Sequence, residues 1–163
     1  MNEEILLNKF PKLKERKYYF KEFKINNNNY IDCVYDIEEV KETRIINYIK
    51  QNYKNISLYD EEEMKEYFEI YLDDNKIDFC FKYNFKNQKK YKIKIKCIKL
   101  ITNMDHMFSD CYSLTSLNLS NFNTNNVTNI SNMFNGVNKN NCKLICENYR
   151  ILEKFDENDE KNI

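Results

Sequence analysis

Apolar and polar positions alternate in three stretches of the second half of the chain. Tyr91, Ile93, Ile95 and Cys97 alternate with Lys92, Lys94 and Lys96, the period-two pattern of a strand with one apolar face. Leu117 and Leu119 repeat the pattern against Ser116, Asn118 and Ser120, and Cys142, Leu144 and Cys146 repeat it against Lys143 and Ile145. Between the second and third stretches, Val127, Ile130, Met133 and Phe134 fall at helical spacing and are expected to fold back over the leucines.

These patterns belong to a repeat. Residues 101–111, "ITNMDHMFSDC", align with residues 127–137, "VTNISNMFNGV", at an offset of 26. Thr, Asn, Met and Phe are identical at four positions, and apolar residues pair at the first, fourth and eleventh. A shift of 26 maps Leu117 and Leu119 onto Tyr91 and Ile93. Downstream the apolar positions match only at 27, which implies one inserted residue in the loop 138–141. Three parallel strands stacked as a short solenoid are the expected result, closed by a helix over 148–155 with Ile151, Leu152 and Phe155 inward. Thr102 and Thr128 are expected to cap the helical turns.

Residues 100–137 resemble the 26-residue repeat of bacterial surface proteins, the BspA-type leucine-rich repeat that also occurs in mycoplasma lipoproteins. The resemblance rests on T-N-M-x-x-M-F and on L-x-x-L-x-L-S-x-F-x-T-x-x-V. It implies a leucine-rich-repeat solenoid, and for exported members a role in adhesion.

The first half is patterned less regularly. Tyr18–Ile25 and Tyr30–Ile37 flank four asparagines and suggest a hairpin. Val40, Ile45, Tyr48, Ile49 and Tyr53 approximate one helical face over 38–53. Asp60 and Glu63 form a capping-box pattern before Met64, Phe68 and Tyr71, although Phe68, Ile70 and Leu72 equally alternate as a strand. Ile77, Phe79, Phe81, Tyr83 and Phe85 alternate and lead through 86–88 into the Tyr91 strand, the outline of an antiparallel hairpin.

Composition adds context rather than chemistry. The 163 residues carry 26 basic and 26 acidic side chains, so net charge selects no class of partner. Twenty-seven asparagines, no alanine, one glycine and one proline read as a low-GC codon bias. The acidic start and the short run Ile5–Leu7 fit no signal peptide, and no stretch has the apolar length of a membrane span. Six cysteines without a signal read as reduced, buried thiols.

No constellation of catalytic type emerges. The one histidine, His106, is expected on the exposed part of a turn, with no nucleophile placed beside it. Cys142 and Cys146 form half of a zinc pattern at most, and share a strand face with Leu144. Glu61–Glu63 suit a helix start and Asp73–Asp74 a turn. One glycine cannot build a phosphate loop. Between Lys82 and Lys99 lie eight lysines and no acid, a surface open to nucleic acid or to an acidic protein, or simply a solvated strand face.

The expected architecture is α+β. An N-terminal α+β segment over 1–89 caps a solenoid of about three parallel strands over 90–155, and a charged tail occupies 156–163. The expected function is a protein-interaction module without catalysis, cofactor or metal. Its binding face comprises Lys92, Lys94, Ser116, Asn118, Ser120 and Lys143, suited to an acidic protein partner in the cytoplasm. A structural paralogue without a ligand is the alternative. An exported adhesin from a chain truncated at its start, and a nucleic-acid binder through residues 82–99, are weaker ones.

Overall fold

The computed structural model describes residues 29–50, 57–58 and 61–157. Ten strands dominate: β1 (Tyr30–Asp36), β2 (Glu42–Arg44), β3 (Ile49–Lys50), β4 (Ser57–Leu58), β5 (Phe68–Leu72), β6 (Asn75–Ile77), β7 (Lys82–Asn84), β8 (Lys90–Cys97), β9 (Leu114–Asn118) and β10 (Lys143–Ile145). Among the described residues the α-helices are one turn, α1 (Glu61–Met64), and α2 (Tyr149–Glu157). Six strands form one mixed sheet in the order β10-β9-β1-β8-β5-β6.

That order overturns the parallel solenoid. β1 lies between β8 and β9, antiparallel to both, and only β9 and β10 are parallel neighbours. The physical reason is in β1 itself. Ile31, Cys33 and Tyr35 alternate with half-buried residues and present the same apolar face as their neighbours. An antiparallel strand of that pattern satisfies the backbone edges of β8 and β9 as well as a direct parallel pairing does. The register changes with it: Ile93 and Leu117 both face Cys33, an offset of 24 rather than 26. The β9–β10 register is the expected 27, with Leu117 opposite Leu144. Pairing crosses residue 89: β1 and β5 before it pair with β8 after it.

The leucine spacing in β9 has a cause. Leu114 and Leu117 are three apart yet both buried, because the pairing with β1 slips between Val34 and Tyr35. Thr115 is the extra residue of this bulge, and its hydroxyl donates to the Val34 carbonyl (3.2 Å).

The two 26-residue copies nevertheless stack turn upon turn. Thr128 N–H donates to the Thr102 carbonyl, and the N–H groups of Met104, Phe108 and Asp110 donate to the carbonyls of Asn129, Met133 and Asn135. Met107, Phe108, Met133 and Phe134 are buried in one core cluster with the inner sheet face. Thr128 is not a cap: its hydroxyl crosses to the Thr102 carbonyl. Asn103 and Asn129 start the turns instead, their side-chain oxygens accepting from the N–H groups of Asp105 and Ser131. Each turn also ends on a left-handed residue, Asp110 (φ 60°) in one copy and Gly136 (φ 79°) in the other. The chain's single glycine thus stands where the repeat needs that backbone.

Both ends of the two-turn stack are closed by side chains that stand in for a missing neighbour. Asn47 supplies one end. Its N–H donates to the Met107 carbonyl (2.8 Å) and its amide to the Ser109 carbonyl (3.1 Å). These carbonyls lie 26 residues before Met133 and Asn135, which accept from the first copy. Arg150 supplies the other end, donating to the carbonyls of Thr128 (2.9 Å) and Val127 (3.3 Å). Thr128 is the counterpart of Thr102, whose carbonyl accepts from the second copy.

Elsewhere the first half departs from its pattern. No helix forms over 38–50. Thr43 pairs with Tyr83, and the N–H groups of Ile45 and Ile46 both donate to the Phe81 carbonyl. Ile45, Ile46 and Ile49 are all buried while Val40 is exposed, a distribution that one helical stripe cannot provide. Phe68–Leu72 is a strand, with a turn at Asp73–Asp74 (φ 45° and 67°) leading into β6. The expected hairpin from 77–85 into β8 is absent: β7 pairs with β2, and β8 with β1 and β5. Residues 18–25, Tyr53, Asp60 and 158–163 lie outside the described residues. α2 forms as expected, with Ile151, Leu152 and Phe155 buried.

Candidate functional site

The outward face of the large sheet carries the expected binding residues other than Ser120. Strand pairing places them in cross-strand rows: Lys143, Ser116, Val34 and Lys92 in one, and Ile145, Asn118, Asp32, Lys94, Tyr71 and Lys76 in the next. β1 therefore separates Lys92 and Lys94 from Ser116 and Asn118, which the 26-residue register had set side by side. Ser120 lies beyond β9 in a turn, its N–H held by the Asn118 side chain (3.0 Å). Lys92 and Lys143 are exposed, and Lys94, Ser116, Asn118 and Ser120 half-buried.

Val34 and Asp32 are the residues that sequence reasoning missed at this site. The alternation of β1 was legible, but nothing in it named β8 and β9 as its neighbours.

The face is balanced in charge rather than basic. Lys90 lies 3.6 Å from Asp36, Lys94 3.9 Å from Asp74, and Lys96 3.2 Å from Glu69, which also binds Lys76 (2.6 Å). Hydrogen bonds from Lys76, Lys96 and Tyr71 hold the Glu69 carboxyl down to about 2. This pairing supports the fold fully above the ordinary glutamate range and is lost as pH falls toward 2. Burial pushes the Asp32 carboxyl up, against the pull of Lys94 and with help from Asp74. Lys82, Lys89 and Lys99 also reach carboxylates, so six of the eight lysines between 82 and 99 are ion-paired. Acids from other elements thus neutralise a run that looks basic in sequence. The Lys92 N–H donates to Asp73 Oδ1 (3.0 Å), but its ammonium makes no ion pair with a described residue, which leaves it a cation on this face with much to offer a partner.

His106 is half-buried rather than exposed. It adopts φ 64°, stacks on Tyr48 (5.4 Å between ring centres) and places Nδ1 3.0 Å from Asp105 Oδ1. That oxygen also accepts from the Asn132 N–H and amide, so it joins the two copies. Among the described residues no three His, Cys, Asp or Glu side chains converge as a metal site, and no helix is long and apolar enough to cross a membrane.

All six cysteines are free thiols, and five are buried. Burial pushes Cys97, Cys111 and Cys146 up to about 12, and half-buried Cys80 to about 11. Under native conditions at pH 8, iodoacetamide is expected to label Cys80 first and the others only on unfolding. Peptide mapping of the alkylated protein measures this, and rapid native labelling of Cys111 would contradict the packing described.

A family model described as "Mycoplasma protein of unknown function, DUF285" matches residues 76–157, half of the chain. No curated protein and no solved structure matches. The matched region holds both repeat copies, β8 to β10 and α2, and β1 lies outside it.

Proposed function

We propose that this chain, which belongs to the family described as Mycoplasma protein of unknown function, DUF285, is a non-catalytic protein-interaction module that binds through the outward face of its six-stranded sheet. The observation that carries the reading is the ordered polar face itself. Lys92, Val34, Ser116 and Lys143 form one cross-strand row, and the opposite sheet face is committed to the core. Side chains held at strand spacing on a rigid layer make a preorganised contact surface. Six strands at ~4.8 Å give it a width of roughly 24 Å. Lys92 and Lys143 flank the row, which suits a partner with acidic side chains. The extensive ion pairing of the 82–99 lysines argues against nucleic acid. A cytoplasmic site of action belongs to this proposal.

The test is Lys92→Glu combined with Lys94→Glu. Lys92 is exposed, but Lys94 is half-buried opposite Asp32 and paired with Asp74, so the double change is expected to lower the melting temperature by roughly 2–4 °C without unfolding the chain. Association with a partner captured by photo-crosslinkers at Ser116 and Asn118 is expected to weaken, more so at low salt. The reading fails if binding survives this double change and is lost instead on substitution of the repeat turns.

A further inference from the structure

The carboxyl ends of β9 and β10 open on a second feature, a groove of about 360 Å³ between the 3-10 turn at Thr124–Asn126 and the start of α2. Its floor is apolar, with Phe122 and Val127 buried beneath it. It is also lined by Ser120, Thr124, Tyr149, Asn125 and Glu147, which carry three hydroxyls, an amide and a carboxylate. None of these side-chain groups hydrogen-bonds to another described residue. Tyr149 is 38% exposed, although it begins a helix whose other aromatic, Phe155, is buried. The groove's one cation, Arg150, is already committed to the carbonyls of Val127 and Thr128.

This set of groups selects a class of ligand. An anion meets Glu147 and no uncommitted positive charge. An apolar molecule leaves five hydrogen-bonding groups unmatched. A ring that presents C–H groups on its faces and hydroxyls around its edge matches both the floor with its tyrosine and the polar rim. We infer that the groove binds a single sugar ring, neutral or amino-substituted. It is separate from the sheet face, and neither site depends on the other.

The experiment is a titration of the full ¹⁵N-labelled chain, followed by amide shifts. The probes are methyl α-D-glucopyranoside, N-acetylglucosamine, glucosamine and, separately, inorganic phosphate. At least one sugar is expected to shift the amides of Thr124, Asn125, Glu147 and Tyr149, with a Kd on the order of 1–10 mM, as suits a small ligand in an open site. Asn125→Ala and Tyr149→Ala are each expected to weaken binding about tenfold, a loss of ~1.4 kcal/mol, while the β9 and β10 amides hold their positions and report an intact fold. If Tyr149→Ala disturbs those amides, Tyr149→Phe replaces it and is expected to weaken binding through the lost hydroxyl alone. The inference is overturned if no sugar moves the groove amides at roughly 50 mM, well above that Kd range. It is equally overturned if phosphate alone moves them, or if the sugar shifts persist unchanged in the variants.

Discussion

Replacing Phe134 with alanine is expected to cost roughly 3–5 kcal/mol of stability. The ring is 1% exposed and meets Phe155 edge to face, with centres 4.9 Å apart and planes at 90°. It therefore joins the second repeat turn to the closing helix, and its removal leaves a void between the two elements. Domains of this size have only ~5–15 kcal/mol in total, so a substantial fraction of the variant should be unfolded at 37 °C. Urea denaturation followed by tyrosine fluorescence measures the change. A loss below about 1 kcal/mol would mean that the ring is not packed as described.

Asn47→Ala carries the next largest effect, roughly 1–3 kcal/mol. The side chain is buried and serves two directions. Its amide donates to the Ser109 carbonyl, and its oxygen accepts from the Tyr48 N–H (2.9 Å) and from Arg44 (3.1 Å). Alanine leaves a repeat-turn carbonyl without a donor, where a preceding repeat is replaced by this one residue. Asn47→Asp separates lost volume from the lost donor. It keeps the acceptor but turns a carboxylate toward the Ser109 carbonyl, so at pH 7 it should cost at least as much as alanine. Below the ordinary aspartate range of ~3.9 the protonated carboxyl can donate, and the gap between the two variants should narrow. Thermal melts of both variants at pH 7 and pH 3.5 test this. Equal losses at both pH values would show that Asn47 acts through packing alone.

Several elements were legible from local pattern because their causes are local. The 26-residue offset is written in Thr, Asn, Met and Phe, and the hydrogen bonds between the copies follow it. The 27-residue spacing to Leu144 is the observed β9–β10 register. Ile151, Leu152 and Phe155 lie on one face of a nine-residue helix, and that helix forms. Residues 38–50 misled for the converse reason. Their apolar positions suit a helix approximately, but Phe81 and Tyr83 offer backbone partners from a distant stretch. Tertiary pairing outweighs a weak periodicity of this kind. The lysine run misled in electrostatics: Asp36, Glu66, Glu69, Asp73 and Asp74 are remote in sequence or separated by turns, and folding brings them to the lysines.

What the sequence by itself determined is which residues of β8 to β10 and of the closing helix face inward, and how the two repeat turns lie on one another. Side-chain periodicity and repeat identity are properties of neighbouring residues, and they survive in any fold that buries the same faces. Only the tertiary structure decided that β1 stands between β8 and β9, that acids from other strands balance the lysines, and that Asn47 and Arg150 close the stack. A strand's backbone N–H and C=O groups are chemically alike in every strand, so its alternation says which side is buried and not which strand lies beside it. That choice belongs to the closure of the whole sheet, where placing β1 at its centre pairs two edges at once.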